Sequence, residues 1–320
     1  MKDFRECERI AFYDVYFQQV TEGLTYTGDN LMKVAQIVTD KIIAMLEQGV
    51  APWAKPWAAG LRPMRYIGQP YRGINSLMLQ AVPFGNPIWL SYKMAQQNGG
   101  TVKAGEKGSQ VVYYKFPTPE QQDAGKRPYM LYSTVFNFEQ TEGVAVPEWY
   151  KPTGEGVTFD PIAAAVGVID NMPNAPKIAH GGNSAHYSPT SDTVQMPIPE
   201  SFASAQLYYS VAFHELAHST GHASRLDRDL KGGRASGAYG REELIAELTA
   251  AFLCADTGID NDGVDKNTAS YLRGWIDALS GDVNLITQAA SAAQRAADYI
   301  NGEAPAAESE EATDSALVAA

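Results

Sequence analysis

His214, Glu215 and His218 fall in the stretch SVAFHELAHSTGH, residues 210 to 222. Two His four residues apart on a helix share one face about one turn from each other, so both imidazoles can reach a single ion. The intervening Glu is then aimed at water on that ion. His214 and His218 are candidate zinc ligands and Glu215 the candidate base. The competing reading is a buried helix that carries two histidines for no chemical reason. Only five His occur in 320 residues, and three of them lie within nine positions, which favours the metal.

The third ligand has to be found elsewhere. In metzincins a further His or Asp stands three residues beyond a glycine that follows the second His. Here that position is Ser224, a poor zinc ligand, and His222 follows Gly221 too soon. The alternative is a Glu from a second helix, as in thermolysin-like gluzincins. REELIAELTAAFLCADTG, residues 241 to 258, provides one. Glu243 and Glu247, four apart, share a face with Ala250 and Cys254, whereas Glu242 is rotated about 100° away. Glu243 is therefore the expected ligand and Glu247 the residue that orients a ligand by hydrogen bonding. An exchange of these roles, or two ordinary surface acids, stays open. Tyr239 and His222 are candidate donors to a tetrahedral oxyanion.

These residues need helices to position them. Ala205, Leu207, Tyr208, Val211, Ala212 and Leu216 make an apolar helix around the histidines, and Gly221 and Gly258 stand where helices end. Upstream, TFDPIAAAVGVIDNMP reads as a helix. PKIAHGGNSAHYSPTSDTVQMP reads as two strands, with DTVQMP suited to an edge strand beside the metal that could pair with a peptide. Two more helices are expected at roughly 265 to 280 and 282 to 300. This α+β unit, residues 157–302, is the expected metallopeptidase domain.

A second α+β unit precedes it at residues 30–145. TGDN signals a helix start before LMKVAQIVTDKIIAMLEQGV, where Val34, Ile37, Val38, Ile42, Met45 and Leu46 recur at helical spacing. Short strands follow around GGTVKAGEKGSQVVYYK and YMLYSTVFNFEQTEG. A Pro/Gly-rich joint at 146–156 separates the units. Residues 1–29 form an acidic extension, and the acidic, low-complexity stretch 303–320 is expected to be disordered.

Composition limits the partners. No apolar run approaches membrane-spanning length and the first residues lack a signal-peptide core, so a soluble, cytoplasmic protein is expected, without membrane contact. Cys7 and Cys254 are expected to be free thiols. The net charge of −12 is uneven: residues 31–145 carry +5 and residues 146–320 carry −14. The first unit can bind a polyanion; the second cannot do so unaided.

Over about residues 30 to 300 the chain resembles the ArdC antirestriction proteins of conjugative plasmids and related mobile elements. The resemblance rests on EQGVAPWAKPW, YRGIN, GGTVKAGEKGSQVVYYK, LYSTVFNFEQTEG, HELAHSTGH followed by RLDR, and REELIAELTAAFL, in that order. It implies an N-terminal single-stranded DNA-binding domain, also found at the front of some plasmid primases, joined to a zincin-like, gluzincin-type metallopeptidase domain. It also implies protection of incoming conjugated DNA from host restriction, with an unknown protein substrate that the restriction machinery could supply.

A single-strand binder needs cations along the phosphates and aromatic faces for the bases. Arg62, Arg65, Arg72, Lys103, Lys107 and Lys115 lie among Trp53, Trp57, Tyr66, Tyr71, Trp89, Tyr92, Tyr113 and Tyr114. Any single aromatic is as well explained by the core. Arg72, Lys103 and Lys107, in glycine-flanked turns, fit phosphate best, and Asn75 could brace the loop or touch a nucleotide. No base-reading motif is visible, so sequence-independent binding is expected of residues 30–145 even in isolation. Two classes of function follow: a DNA-tethered zinc peptidase, or a non-catalytic DNA-coating protein whose zinc is structural. Glu215 separates them, since a structural site does not require a base.

Overall fold

The computed structural model describes residues 28–53, 62–115, 121, 129–150, 161–230, 240–259 and 269–303. Trp57, Tyr239 and Cys7 lie outside these residues, as do most of the N-terminal extension and the acidic tail and the end of the joint.

Helix α1, Gly28–Glu47, opens the N-terminal half. Val34, Val38, Ile42 and Leu46 recur every four residues and are buried as one stripe, whereas Ile37 faces solvent. A four-stranded sheet follows, in the order β1 (Met64–Arg65), β2 (Ile88–Leu90), β5 (Tyr129–Asn137), β4 (Ser109–Lys115). The β1 and β2 strands run parallel and the other pairs antiparallel. Helix α2, Gly73–Gln80, is buried along its whole length. Its first residue has φ +52°, a conformation that costs glycine least, and a Cβ there would stand 3.6 Å from the Ala290 carbonyl. This is the backbone reason for the glycine of YRGIN. Helix α3, Tyr92–Gln97, and a small ribbon of β3 (Thr101–Val102) with β6 (Thr141–Glu142) complete this half.

The second half begins with α4, Pro161–Asn171, and a three-stranded sheet of β7 (Lys177–His180), β8 (His186–Ser188) and β9 (Thr193–Met196). The β9 strand is in the middle, parallel to β7 and antiparallel to β8. DTVQMP is therefore not an edge strand. The reason is that HGGNSAHYS supplies a further short strand, β8, so that β7 and β8 take both sides of β9. Among the described residues, four helices follow: α5 (Ala205–Ser219), α6 (Arg241–Thr257), α7 (Ala269–Gly281) and α8 (Leu285–Ile300). Ser204 caps α5 by accepting the Leu207 N–H at 3.1 Å. Gly258 closes α6 in the left-handed conformation, φ 65°. Among the described residues, no helix is long and apolar enough to cross a membrane, and Cys254 is buried and in no disulfide.

The two halves share one core. Val34, Ile42, Leu46, Trp53 and Leu77 belong to the same apolar cluster as Leu244, Leu248, Trp275, Ile286, Ala290 and Ala293. The alanine-rich face of α8 lets α6 and α2 approach closely, and Trp53 meets Trp275 edge to face at 5.6 Å. Removed from its partner, the segment 30–145 would expose this apolar surface to water. The complete chain should accordingly unfold in one calorimetric transition, and Trp275→Ala should lower its stability by about 3–5 kcal/mol. Residues 30–145 alone should show no cooperative transition; two independent transitions in the complete chain would contradict a shared core.

Candidate functional site

Helices α5 and α6 pack against each other and bring three donor atoms together. The Nε2 atoms of His214 and His218 are 3.2 Å apart. The Glu243 Oε2 atom stands 3.6 Å from each of them. Donors held about 2.0–2.1 Å from a tetrahedral ion are spaced by about 3.3 Å, so the triangle has the size a divalent metal requires. Among the described residues, this is the one group of His, Cys, Asp and Glu side chains found that could hold an ion. All three side chains keep some exposure, which leaves room for a further ligand from solvent. Glu215, 8% exposed, lies beside His214 on α5 and is close enough for its charge to favour the protonated His218 ring.

The electrostatics favour an ionised Glu243 and, with no metal bound, a protonated His218. Burial disfavours a charged His218, but the Glu242 and Glu243 carboxylates outweigh it and push the ring up to about 9. Burial likewise disfavours an ionised Glu243, but the two imidazoles hold its carboxyl well below the usual range. The carboxylate is therefore in the form that binds metal.

The acid placed at the second nitrogen of a histidine ring is Glu242 and not Glu247, the one expected from helix periodicity. Glu242, 6% exposed, places its Oε1 3.5 Å from His218 Nδ1. Arg228 donates to both oxygens of that carboxylate, at 2.7 and 3.1 Å. A carboxylate at Nδ1 leaves Nε2 to the metal, the arrangement that fixes a ligand's tautomer and orientation. The 100° rotation that separates Glu242 from Glu243 points it into the gap between α5 and the following turn, where sequence spacing alone gave no reason to look. Glu247 instead interacts with the Tyr271 hydroxyl.

The RLDR segment clamps this geometry. Arg228 also donates to the Ala217 carbonyl at 2.9 Å and to the Thr220 hydroxyl at 2.7 Å. Arg225 donates to the Ser219 carbonyl and holds Asp192 with two hydrogen bonds, tying the end of α5 to the β8–β9 turn. Gly221 is not a left-handed helix terminator. A Cβ there would come within 2.4 Å of the Leu230 side chain and 3.2 Å of the His218 carbonyl, so any other residue would require Leu230 to shift. His222 sits in this turn, its Nδ1 2.8 Å from the Ser224 hydroxyl.

The N-terminal candidates separate into two groups. Trp53 and Trp89 are 1% and 2% exposed, and Tyr66 and Tyr71 are buried, so these rings offer no free face to a base. Asn75 is buried and bonds both the N–H and the carbonyl of Val112, bracing α2 against β4. Arg72 pairs with Asp298, and Arg62 with Asp256 at 3.4 Å, both acids of the second half. Arg65 stacks over the Tyr71 ring at 5.3 Å. Lys103 and Lys107 are exposed in the β3–β4 turn, with Lys103 donating to the Glu139 carbonyl at 2.7 Å. Lys115 ends β4; its side chain lies outside the described residues.

Comparison with known proteins adds to this geometry. Residues 32–142 match the family described as the N-terminal domain of anti-restriction factor ArdC, and residues 170–292 match a zincin-like metallopeptidase family. The metal-free crystal structure of the antirestriction protein ArdC from plasmid R388 is 36% identical, with TM-score 0.67 over 87% of this chain and 98% of that one. Its Mn(II)-bound structure is 38% identical, with TM-score 0.67 over 84% and 97%. A DNA primase TraC of Escherichia coli is 36% identical over 291 residues, covering 82% of this chain. That match spans only 26% of the primase. Protein y4eC of Sinorhizobium fredii is 34% identical, over 83% of this chain and 91% of its own.

Two measurements follow. With His218 at about 9 in the metal-free protein, binding at pH 7 must displace a proton. Affinity for a divalent cation should rise about tenfold per pH unit from 7 and level off above about 9. In the metal-free fold the protonated His218 ring should contribute stability that is fully present below about 6.5 and is lost as pH rises through about 9. Titration calorimetry in buffers of different ionisation enthalpy reads the released proton directly; pH-independent affinity would refute the assignment. Glu242→Gln should weaken metal binding about 10–100-fold, while His214→Ala and Glu243→Ala should abolish stoichiometric loading.

Proposed function

The chain belongs to the ArdC family of antirestriction proteins, and from that premise we propose that it binds single-stranded DNA through its N-terminal half and hydrolyses peptide bonds at a zinc centre in its second half. The observation that carries the catalytic part is the donor triangle of His214, His218 and Glu243 with Glu215 on the same helix. A site that only braced the fold would need no base and would be closed by four protein ligands.

His214 and His218 present Nε2, and Glu243 one carboxylate oxygen, to the metal, while Glu242 and Arg228 hold the His218 ring in place. Zinc bound there supplies Lewis-acid chemistry, polarising a carbonyl and lowering the pKa of water. Glu215 accepts the proton of the attacking water and returns it to the leaving amine. His222 and Tyr239 are the side chains proposed to donate to the developing oxyanion. The β9 strand has both sides taken, so an extended substrate would pair with an outer strand. We assign that role to β8, which packs on α5.

For DNA, the exposed pair Lys103 and Lys107, with Lys115, is the proposed phosphate-contacting set, and the absence of base-reading groups supports sequence-independent binding. Together the two activities would protect DNA entering by conjugation from restriction.

Zinc-loaded protein should cleave a generic unfolded substrate such as casein, and Glu215→Gln should lose that activity while keeping its metal and DNA binding. Cleavage unchanged in Glu215→Gln would remove the catalytic reading. In a conjugation assay into a restricting recipient, protection retained by this variant assigns antirestriction to strand coverage; protection lost assigns it to hydrolysis. The complete chain should prefer single strands to duplex, and Lys103→Gln with Lys107→Gln should lower the salt slope by about 0.7 per lost phosphate contact. An unchanged slope would rule out that turn.

A further inference from the structure

Trp53 belongs to the N-terminal half, yet its side chain is committed to the other half. Its indole N–H donates to the Tyr271 hydroxyl at 2.9 Å, and its ring packs edge to face on Trp275. Both partners are on α7. Tyr271 in turn bonds the Glu247 carboxylate: burial first, and then the charge and hydrogen bond of Glu247, hold the phenol well above its ordinary range. The indole, hydroxyl and carboxylate thus form a donor-to-acceptor chain from the APW segment to helix α6. It runs through the apolar cluster that contains Trp53, Leu244, Leu248 and Trp275. Polar groups in such surroundings have no substitute partners, so each bond is costly to break.

The end of this chain is placed where it matters for the metal. Glu247 is one turn beyond Glu243, about 6 Å along the axis and about 40° around it. The Glu243 oxygen must be placed to within about 0.2 Å for good coordination. A helix rotation of only about 10° moves a side-chain tip about 6 Å from the axis by about 1 Å. Leu244 and Leu248 resist such rotation only through non-directional packing; the directional restraints are the Arg228–Glu242 hydrogen bonds in the first turn and the Tyr271–Glu247 bond one turn beyond Glu243.

We propose that Trp53 and Tyr271 are positioning residues for the metal centre, acting through Glu247 to fix the rotation of α6 and so the place of Glu243 opposite the histidine pair. The inference rests on the metal-site reading above but on neither hydrolysis nor DNA binding.

The test is zinc affinity of the complete chain, measured by competition with a chromophoric chelator at a temperature where every variant is folded. Tyr271→Phe, Trp53→Phe and Glu247→Gln should each weaken zinc binding about 3- to 10-fold. Tyr271→Phe combined with Glu247→Gln should be little worse than the weaker single variant, because both break one chain. Ile286→Val, in the same core but outside the chain, should lower the melting temperature without changing affinity. Wild-type affinity in Tyr271→Phe and Glu247→Gln overturns the proposal, as does an affinity loss in Ile286→Val equal to theirs. A wild-type chain that takes up no zinc would instead overturn the metal site itself.

Discussion

The packing of α6 into the centre of the molecule is the constraint on which the rest depends. Leu244, Ile245, Leu248, Ala250, Ala251, Phe252 and Leu253 are all buried, so the helix meets neighbours on nearly every side. It carries no amphipathic stripe because it has no solvent face to speak of. Glu242 and Glu243 stand in its first turn, where one neutralises Arg228 beside His218 and the other completes the donor triangle. These four ionisable groups, Glu242, Glu243, Arg228 and His218, can be kept together there only because each charge has an opposite partner within ion-pair distance. The geometry of the donor triangle thus depends on how this one helix is seated.

Charge organises the boundary between the halves in the same way. The basic N-terminal half and the acidic second half do not simply repel or attract at long range. They meet as discrete pairs, Arg72 with Asp298 and Arg62 with Asp256, and the Gly73 N–H is accepted by Gln294 at 2.8 Å. Burial pushes Asp256 up to about 6 despite Arg62, since Glu303 and Asp298 add negative charge nearby. Among the described residues, Lys103 and Lys107 of the β3–β4 turn are exposed cations that take no part in these pairs.

The helices and the three side chains of the donor triangle were legible from residue spacing because both depend on local periodicity. His214, His218 and Glu243 could be picked out as four-residue repeats and a glycine-terminated helix, and the two-part α+β organisation from charge and motif order. What spacing could not reveal was set by tertiary contact. Glu242 looks like a residue on the wrong face until the RLDR turn folds back against α5. Arg72 and Asn75 look like nucleotide contacts because YRGIN has the composition of an anion-binding turn, and α8 and Val112 satisfy those donors instead. Trp53 and Trp89 look like stacking platforms because composition does not distinguish an exposed aromatic from a buried one. The β9 strand looks like an edge because β8 is only three residues long.

The shared core also bears on how such proteins are assembled from genetic parts. A recombination break in the codons of the joint would separate Trp53 from Tyr271 and Arg72 from Asp298, leaving each fragment with half of a matched surface. Mosaic genes that exchange one half for a distant homologue's would inherit mismatched seams, whereas those that carry both halves as a cassette would not. The primase match has the second character: the similarity runs across both halves and occupies about a quarter of a much longer polypeptide.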